Sequence, residues 1–337
     1  MLLRKEIGSE FWDVPLSVNH NSYFDRVIWF CSGRAAFREI IRQVKKTVQN
    51  IKIAMPSFLC DSMILPLEKE NVDYIFYKVD LSNGRIQCDY SNILDCNVIF
   101  VIDYFGFESA NDYPRDKVVI RDLTHSLFAK RYDDADYYFG SLRKWAAFCG
   151  AGFAFSKNGD LLKPQSYLEQ YNSLRRKAFT LKKCFIDKKI ESKEHLDIFH
   201  KAEEILEECE IAKGIEEDIC NATHLDMEYL KTIRKENAKV LIEELGEFCI
   251  YKEIGENDCP LCVPIIYKNR DALRQYLISK DIYCPIHWPR PQQVDEKYSR
   301  DLYDNELSLV CDQRYTKEDM LRIVAEIKTF MEMNNNA

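Results

Sequence analysis

The chain has 337 residues, of which 46% are hydrophobic and 30% charged, and its formal net charge is -8. This length and composition are typical of a globular protein of about two domains that buries a large core. Acidic and basic residues are mixed along the chain, which argues against a nucleic-acid surface. The N-terminus carries charges where a signal peptide has its apolar core, and no run reaches the ~18 apolar residues of a membrane span. We therefore expect a cytoplasmic protein that binds neither nucleic acid nor membrane.

The first half of the chain alternates helices with short apolar strands. Residues 33–48 carry apolar side chains at helical spacing, and Ser32 and Gly33 are typical of a helix start. A second helix is predicted over 61–70. Strands are predicted at 51–56, 72–80, 97–106, 117–123, 136–142 and 150–156. Nearly continuous apolar strands of this kind form a sheet that is buried on both faces, mostly parallel and covered by helices.

The second half begins with a long helical region. Residues 165–245 are charged and almost free of glycine and proline, which predicts a helical connector. From about Glu247 the pattern changes to strands at 248–252 and 259–267 and helices at 269–280 and 316–333. We therefore predict an α/β fold with a large domain over 1–245 and a small α+β domain over 246–337.

The 13 cysteines are an odd number, and many lie in apolar runs, which favours reduced, buried thiols over a disulfide framework. Cys259 and Cys262 form the only CxxC pair, in an apolar run that Pro260 and Pro264 interrupt. A zinc or redox site would need a second ligand pair or a thioredoxin-like context, so a strand of small apolar side chains is the preferred interpretation.

Two positions in the first half could belong to a site at the carboxyl ends of the strands, where ligands bind in open α/β sheets. Gly33 opens a predicted helix, and backbone N–H groups at a helix start suit a phosphate; a plain glycine-started helix is the alternative. Asp122 ends a buried strand, where a carboxylate needs a cation or a strong donor. A protonated ring nitrogen would be such a partner, and a simple cap of the following turn is the alternative.

The stretch FGSLRKW, residues 139–145, places Ser141 and Lys144 so that hydroxyl and amine can face the same side of a tight turn. A lysine amine that is half-buried in apolar surroundings is a nucleophile that forms a Schiff base with an aldehyde. Arg143 would point away or help to neutralise a phosphate. A solvated charged turn is the alternative.

In the second domain, the stretch IYCPIHWPRP, residues 282–291, holds His287 and Trp288 between prolines, which predicts a rigid loop that closes over a substrate or forms a packed corner. Arg290 and Arg314 lie in loops of the same domain. Either could bind a carboxylate or phosphate through two hydrogen bonds, or could be an ordinary surface arginine.

A glycine at a helix start, an aspartate at a strand end and then SxxK, in this order, resemble the fold-type I enzymes that use pyridoxal 5'-phosphate (PLP). Among these, the chain resembles the DegT/StrS-like PLP-dependent sugar aminotransferases. The resemblance extends from about Gly33 to Arg314. It is carried by SGRAAF, MPSFLCDSMILPL, VDLSNG, VIDYFG, VIRDLTHSL, FGSLRKW, CGAGFAF, CPLCVPI, IHWP and LVCDQRY.

The resemblance implies the aspartate aminotransferase-like fold: a three-layer α/β/α large domain with a mostly parallel sheet, and a small C-terminal α+β domain. It also implies the role of each site residue. Lys144 would form the internal aldimine with PLP and carry the proton in the reaction. Asp122 would pair with the pyridine nitrogen, His125 would lie against the cofactor, and Phe58 would stack on its ring. The phosphate would be held by Ser141 with Gly33, Arg34 and Ala35, and the substrate by His287, Arg290 and Arg314.

The activity implied by the resemblance is transfer of an amino group from an amino acid, such as glutamate, to a keto group of a nucleotide-linked deoxysugar. Such enzymes make amino sugars, for instance for cell-surface polysaccharide, and act as homodimers. Dimer contacts are expected in 165–245, with Asn172 and Arg175 as candidates for reaching a second subunit's phosphate. One departure from the family pattern is Arg121, which stands where an acid usually precedes Asp122.

Three alternatives stay open at the level of sequence. The chain could be a PLP enzyme for another amine or keto substrate, although Lys144 argues against the sugar dehydratases, which carry histidine at that position. It could be a catalytically silent PLP-fold protein that serves as a regulator or binding partner. It could also be a nucleotide-binding α/β protein, although it contains neither GxGxxG nor GxxxxGK[ST].

Overall fold

The central feature of the computed structural model, which describes residues 5–82, 84–108, 113–129 and 134–335, is an eight-stranded sheet. The strands of the chain are β1 (Ile7–Gly8), β2 (Ile28–Phe30), β3 (Lys52–Pro56), β4 (Asp73–Ser82), β5 (Arg85–Asp89), β6 (Val98–Ile102), β7 (Val118–Asp122), β8 (Tyr137–Ser141), β9 (Gly152–Ser156), β10 (Cys262–Ile266), β11 (Ile282–Tyr283) and β12 (Glu306–Val310). The α-helices are α1 (Gly33–Thr47), α2 (Leu65–Lys69), α3 (Glu169–Ile186), α4 (His195–Leu206), α5 (Glu216–Thr223), α6 (Met227–Leu245), α7 (Arg270–Ile278), α8 (Arg300–Asn305) and α9 (Lys317–Asn335).

The large sheet has the order β2-β9-β8-β7-β6-β3-β4-β5. Its centre is parallel, since β4, β3, β6, β7 and β8 run the same way. Strand β9 runs antiparallel to both β8 and β2, and β5 runs antiparallel to β4. All five residues of β6 are buried, because both faces of a central parallel strand are covered. The predicted mostly parallel sheet is therefore confirmed.

Helix α1 packs against β8 and β9 and begins where the sequence predicts. Ser32 is its N-cap, and the Ser32 side chain accepts a hydrogen bond from the Ala35 N–H at 3.2 Å. Phe37 on its buried face stacks on Phe139 of β8, with ring centroids 5.2 Å apart. The start of the helix is thereby held against the carboxyl end of β8.

The predicted helical connector over 165–245 is confirmed as four helices, α3 to α6. Helices α3 and α4 pack together around Ala178, Ile198 and Phe199. The helix predicted over 61–70 is interrupted: a short 3-10 helix over Asp61–Met63 precedes α2. Pro66 near the start of α2 cannot donate a backbone hydrogen bond to the preceding turn, which accounts for the interruption.

The C-terminal part contains a small antiparallel pair of strands, β10 and β12. The strand predicted at 248–252 is wrong, because only Cys249 bridges to Ile265 and the backbone then bends away. Strand β12, which the prediction missed, supplies the partner for β10. The predicted division at 245/246 falls at the C-terminal end of α6 and stays a prediction; strand β1, from the N-terminus, pairs with β11.

Among the described residues, no helix combines the length and the apolar character that crossing a membrane would require.

Candidate active site

The carboxyl ends of β3, β6, β7 and β8 lie side by side and lead into the loops that carry the predicted site residues. Beside them lies a cavity of about 530 Å³ between the large sheet and the C-terminal part. Its lining includes Lys144, Arg143, Glu203, His287, Asp312 and Arg314. Residues from both halves of the sequence therefore meet at one opening.

The start of α1 faces the carboxyl end of β8. An ideal Cβ atom on Gly33 would lie 3.5 Å from the Cβ of Ser141 and 3.6 Å from the carbonyl oxygen of Gly140. The N–H groups of Gly33 and Arg34 precede the first helical hydrogen bond and have no partner inside the helix. The N–H of Ala35, predicted to bind phosphate, already donates to Ser32. The helix start therefore offers two backbone donors and the Ser141 hydroxyl on one side.

Asp122 is the last residue of β7 and is buried. Its Oδ1 accepts a hydrogen bond from the backbone N–H of Thr124 at 2.8 Å. Burial raises the pKa of Asp122 to about 6, although the hydrogen bonds from Thr124 lower it. A cation close to this buried carboxyl group would stabilise its ionised form.

Arg121 precedes Asp122 and points to the opposite face of the sheet, as successive strand residues do. Its guanidinium donates two hydrogen bonds to Asp103, at 2.8 and 2.9 Å, and one to Asp134 at 2.6 Å. The charge of Arg121 is therefore neutralised away from the cavity. Arg121, which departs from the family pattern, therefore forms ion pairs on the face of the sheet opposite to Asp122.

His125 is buried in the loop after β7, and its Nδ1 has no hydrogen-bond partner among the described residues. Its ring stacks on Trp288, with centroids 5.0 Å apart, and contacts the edge of His287 at 4.8 Å. Burial lowers the pKa of His125 well below its ordinary value, and the charges of His287 and Lys144 lower it further. His125 is therefore a neutral ring with one nitrogen unsatisfied.

The two adjacent cations of FGSLRKW have different surroundings. Arg143 forms an ion pair with Glu203 and is held above the ring of Tyr171. Lys144 ends the short 3-10 helix over Leu142–Lys144 and lines the cavity. The expectation of a half-buried amine was wrong, because Lys144 is exposed in the structure. Arg143 also lines the cavity, where its charge is paired with Glu203.

Phe58, predicted to stack on a cofactor ring, has no exposed surface. Its ring packs against Tyr104, Trp288 and Tyr303, with centroids between 5.1 and 5.6 Å away. Cys60, two residues later, is half-buried. Burial raises the pKa of the Cys60 thiol, while the nearby charge of Lys144 acts in the opposite direction.

Two of the three predicted substrate-binding residues, His287 and Arg314, line the cavity with Lys144. Arg314 is held by Asp312 through hydrogen bonds of 2.7 and 2.8 Å. Arg290 is not among the lining residues. Its guanidinium donates to the carbonyl oxygen of Tyr298 at 2.7 Å and lies over the ring of Tyr303.

The candidates for reaching a second subunit are buried within their own chain. Asn172 and Arg175 are 2% and 1% exposed. Arg175 lies 3.7 Å from both Glu10 and Glu203 and therefore extends the ion-pair group around Arg143. The sequence analysis missed Glu203 and Asp312, because an acid distant in sequence gives no signal of the arginine it will meet.

No protein-family model matches the chain, and no curated protein matches it. Solved structures do match. A DegT DnrJ EryC1 StrS aminotransferase from Brucella abortus superposes with a TM-score of 0.62 and 17% identity, covering 91% of this chain and 87% of that one. PseC from Helicobacter pylori, an aminotransferase involved in the biosynthesis of pseudoaminic acid, has a TM-score of 0.66 and 12% identity, covering 96% and 100%.

The PLP-form of Spr1654 from Streptococcus pneumoniae has a TM-score of 0.65 and 12% identity, covering 97% of this chain and 99% of that one. Such coverage shows that the whole chain follows the architecture of these proteins. The chain therefore has the α/β fold of these aminotransferases, with a mostly parallel central sheet between helices, as predicted.

Proposed function

We propose that this protein is a PLP-dependent aminotransferase that acts on a sugar. The observation that supports the proposal is the placement of Asp122 at the end of β7 and of Ser141 and Lys144 at the end of the adjacent strand β8, with Gly33 close to Ser141. These groups come from the start of α1 and from the ends of β7 and β8, and each has the chemistry that one part of PLP requires.

The residues fit PLP at three points. The backbone donors at the start of α1 and the hydroxyl of Ser141 suit a phosphate. The buried carboxylate of Asp122 suits a protonated ring nitrogen, because its pKa of about 6 reflects burial without a cationic partner. His125 offers a neutral ring whose Nδ1 lacks a partner among the described residues.

Bound PLP would supply the electron sink on which amino-group transfer depends. The residues of the chain would bind, orient and move protons. Lys144, exposed to the cavity, would hold the cofactor through its amine and then carry a proton on Nζ between cofactor and substrate. Asp122 would keep the proton on the ring nitrogen. Phe58 as the stacking residue stays a prediction.

The substrate side of the proposal is an amino acid donor, such as glutamate, and a keto sugar linked to a nucleotide. A cavity of about 530 Å³ is within the range of small-molecule sites. Arg314 and Arg274 among its lining residues would suit phosphate or carboxylate groups. The names of the similar structures from Brucella and Helicobacter support aminotransfer, and the name of Spr1654, a sugar aminotransferase, supports a sugar substrate. A homodimer is proposed on the same resemblance.

Cofactor attachment is tested by visible absorption of the full chain after incubation with PLP and removal of the excess. We expect an absorption band that borohydride abolishes, with the reduced cofactor found on Lys144 by peptide mass spectrometry. Lys144→Ala should lose the band completely, because no other amine lines the cavity among the described residues.

Lys213→Ala is the matched control, since Lys213 pairs with Glu216 on the surface. It should keep the band of the unmodified protein. The proposal fails if the unmodified protein takes up no PLP, or if Lys144→Ala keeps a band of equal size. Loss of the band on adding glutamate would then identify the donor.

A further inference from the structure

A chain of hydrogen bonds runs from the buried side chain of Glu306 to the wall of the cavity. Glu306 begins β12 and has no exposed surface. The hydroxyl of Ser308, also on β12, donates to Glu306 Oε1. Ser308 Oγ in turn lies 2.7 Å from Nδ1 of His287. Glu306 Oε2 accepts a hydrogen bond from the backbone N–H of His287 at 2.8 Å. The carboxyl group therefore positions both His287 and Ser308.

The far end of this chain opens to the candidate active site. His287 lines the same cavity as Lys144. Its ring also contacts the edge of His125, with centroids 4.8 Å apart. Nε2 of His287 has no hydrogen-bond partner among the described residues, so it is the nitrogen available to a bound molecule.

The protonation of Glu306 decides which nitrogen of His287 carries hydrogen. When Glu306 is ionised, Ser308 donates to it, and Ser308 Oγ must accept from His287 Nδ1–H; Nε2 is then an acceptor. When Glu306 is protonated, its O–H donates to Ser308, and the Ser308 hydroxyl donates to Nδ1; Nε2 then carries the hydrogen. Protonation of the buried Glu306 therefore turns Nε2 of His287 into a hydrogen-bond donor at the cavity.

The groups around the chain keep the ring of His287 neutral. Burial, together with the charge of Lys144, lowers the pKa of His287 to about 3. Burial raises the pKa of Glu306 to about 8, against the hydrogen bonds from Ser308 and His287 and the charge of Arg270. The thiols of Cys262 and Cys284 also face this group, and Cys262 donates to Ser308 Oγ at 3.2 Å. The ring therefore changes tautomer rather than charge.

We propose that Glu306, Ser308 and His287 form a proton relay that ends beside Lys144. In the donating direction, His287 Nε2–H gives its proton to a basic atom in the cavity, and Nδ1 takes the Ser308 hydroxyl proton. Ser308 Oγ takes the proton of Glu306, which ends as a carboxylate. The reverse sequence returns a proton to Glu306. The use of the relay by a sugar aminotransferase rests on the proposed function, whereas the relay itself requires only these three side chains.

The relay is tested by nitrogen-15 NMR of the full chain labelled at histidine, recorded across a pH series. Comparison with His287→Gln identifies the resonances of His287. We expect its two nitrogens to exchange protonated and unprotonated character as pH rises through the titration of Glu306, with no signal of a charged ring.

Two variants separate the relay from ordinary titration. Glu306→Gln should hold His287 as the Nε2–H tautomer at every pH. The oxygen of the new amide must accept the backbone N–H of His287, so the NH₂ group of that amide donates to Ser308 as a protonated carboxyl would. Ser308→Ala should remove the pH dependence, because it breaks the chain and leaves both ends present.

The relay is overturned if the His287 tautomer is independent of pH in the unmodified protein. It is equally overturned if Ser308→Ala titrates like the unmodified protein, or if Glu306→Gln still switches. These spectra do not require PLP, so a protein that binds no PLP and still switches would refute the proposed function and leave the relay standing. A protein that binds PLP, but whose His287 tautomer does not change with pH, would refute only the relay.

Discussion

Asp122 is a buried carboxyl group whose ionisation opposes folding. Its carboxyl group is buried at the end of β7 and receives a hydrogen bond from the backbone of Thr124, but it has no cationic partner among the described residues. The resulting pKa of about 6, against an ordinary value of 3.8, means that folding disfavours the ionised form. A cofactor with a protonated ring nitrogen would recover this free energy on binding.

Asp122→Asn should stabilise the protein without PLP. Folding raises this pKa, so the carboxyl group favours the folded state below pH 3.8 and loses that contribution as pH rises to about 6. Each pH unit between the two values is worth about 1.4 kcal/mol, so the variant should gain about 3 kcal/mol at pH 8 and almost nothing at pH 4. Urea unfolding at both pH values measures the difference.

Asp95→Asn is the control, since Asp95 is exposed, and its unfolding free energy should change little with pH relative to the unmodified protein. Equal gains for Asp122→Asn at pH 4 and pH 8 would show that ionisation of Asp122 carries no cost. With PLP present, the same variant should bind the cofactor more weakly, because the neutral amide cannot pair with a charged ring nitrogen.

Predictions from sequence at the residue scale depended on motifs. Lys144, Asp122 and Ser141 became candidates because their types and order along the chain are typical of one chemistry. The ion pair of Arg143 was not predictable, because its partner Glu203 lies on α4. Glu306 and Ser308 gave no signal, since their relation to His287 exists only across the small sheet.

At the scale of elements, the loop after β6 joins the large sheet to the C-terminal part. The carbonyl oxygens of Phe105 and Gly106 accept backbone hydrogen bonds from Leu261 and Cys259, at 2.8 and 2.9 Å. Gly106 has a φ of +84°, and a Cβ atom there would lie 2.0 Å from the carbonyl oxygen of Cys259. Only glycine allows both the conformation and this close approach.

Gly106→Ala should therefore destabilise the fold by about 3 kcal/mol or more, from backbone strain and overlap with the neighbouring segment. Gly159→Ala is a matched control, because Gly159 also has a positive φ, of +68°, but a Cβ atom there meets nothing within 4 Å. The control should cost about 1 kcal/mol. Chemical unfolding compares the two, and similar losses would mean that the contact with Cys259 can be displaced cheaply.

The central strands and the long helices could be predicted because their apolar patterns are strong. Strand β12 was missed because all five of its residues are buried, including Glu306 and Ser308, whose polar side chains break an apolar pattern. Their burial is possible only because each finds a partner in the tertiary structure. Strand β2 is only three residues long, too short for a periodicity to be seen.

At the scale of the whole molecule, the N-terminal segment connects distant parts of the chain. Strand β1 pairs with β11, and the N–H of Gly8 donates to the hydroxyl of Tyr315 at 2.8 Å. Glu6, just before β1, forms an ion pair with Lys182 of α3, whose side chain is fully buried. A buried ammonium without its partner is costly, so this pair holds the N-terminus to both the helical connector and the C-terminal part.

Glu6→Gln should lower the free energy of unfolding by about 3 kcal/mol, because it leaves the charge of Lys182 buried and unpaired. The double variant Glu6→Gln with Lys182→Met should recover most of that loss, since it removes the charge and keeps the volume. Urea unfolding of both variants tests this. A double variant less stable than Glu6→Gln would show that the methylene chain, rather than the ammonium, makes the essential contact.

The amino-acid sequence by itself determined the class of fold and the main candidates for chemistry, because apolar periodicity and short motifs are local properties that survive without knowledge of contacts. The tertiary structure alone decided which side chains share a cavity, which cations are neutralised and which polar groups are buried. Those outcomes depend on residues brought together from distant positions, such as Glu203 with Arg143 and Glu306 with His287. Pairings of this kind follow from the packing of whole elements, which no local pattern encodes.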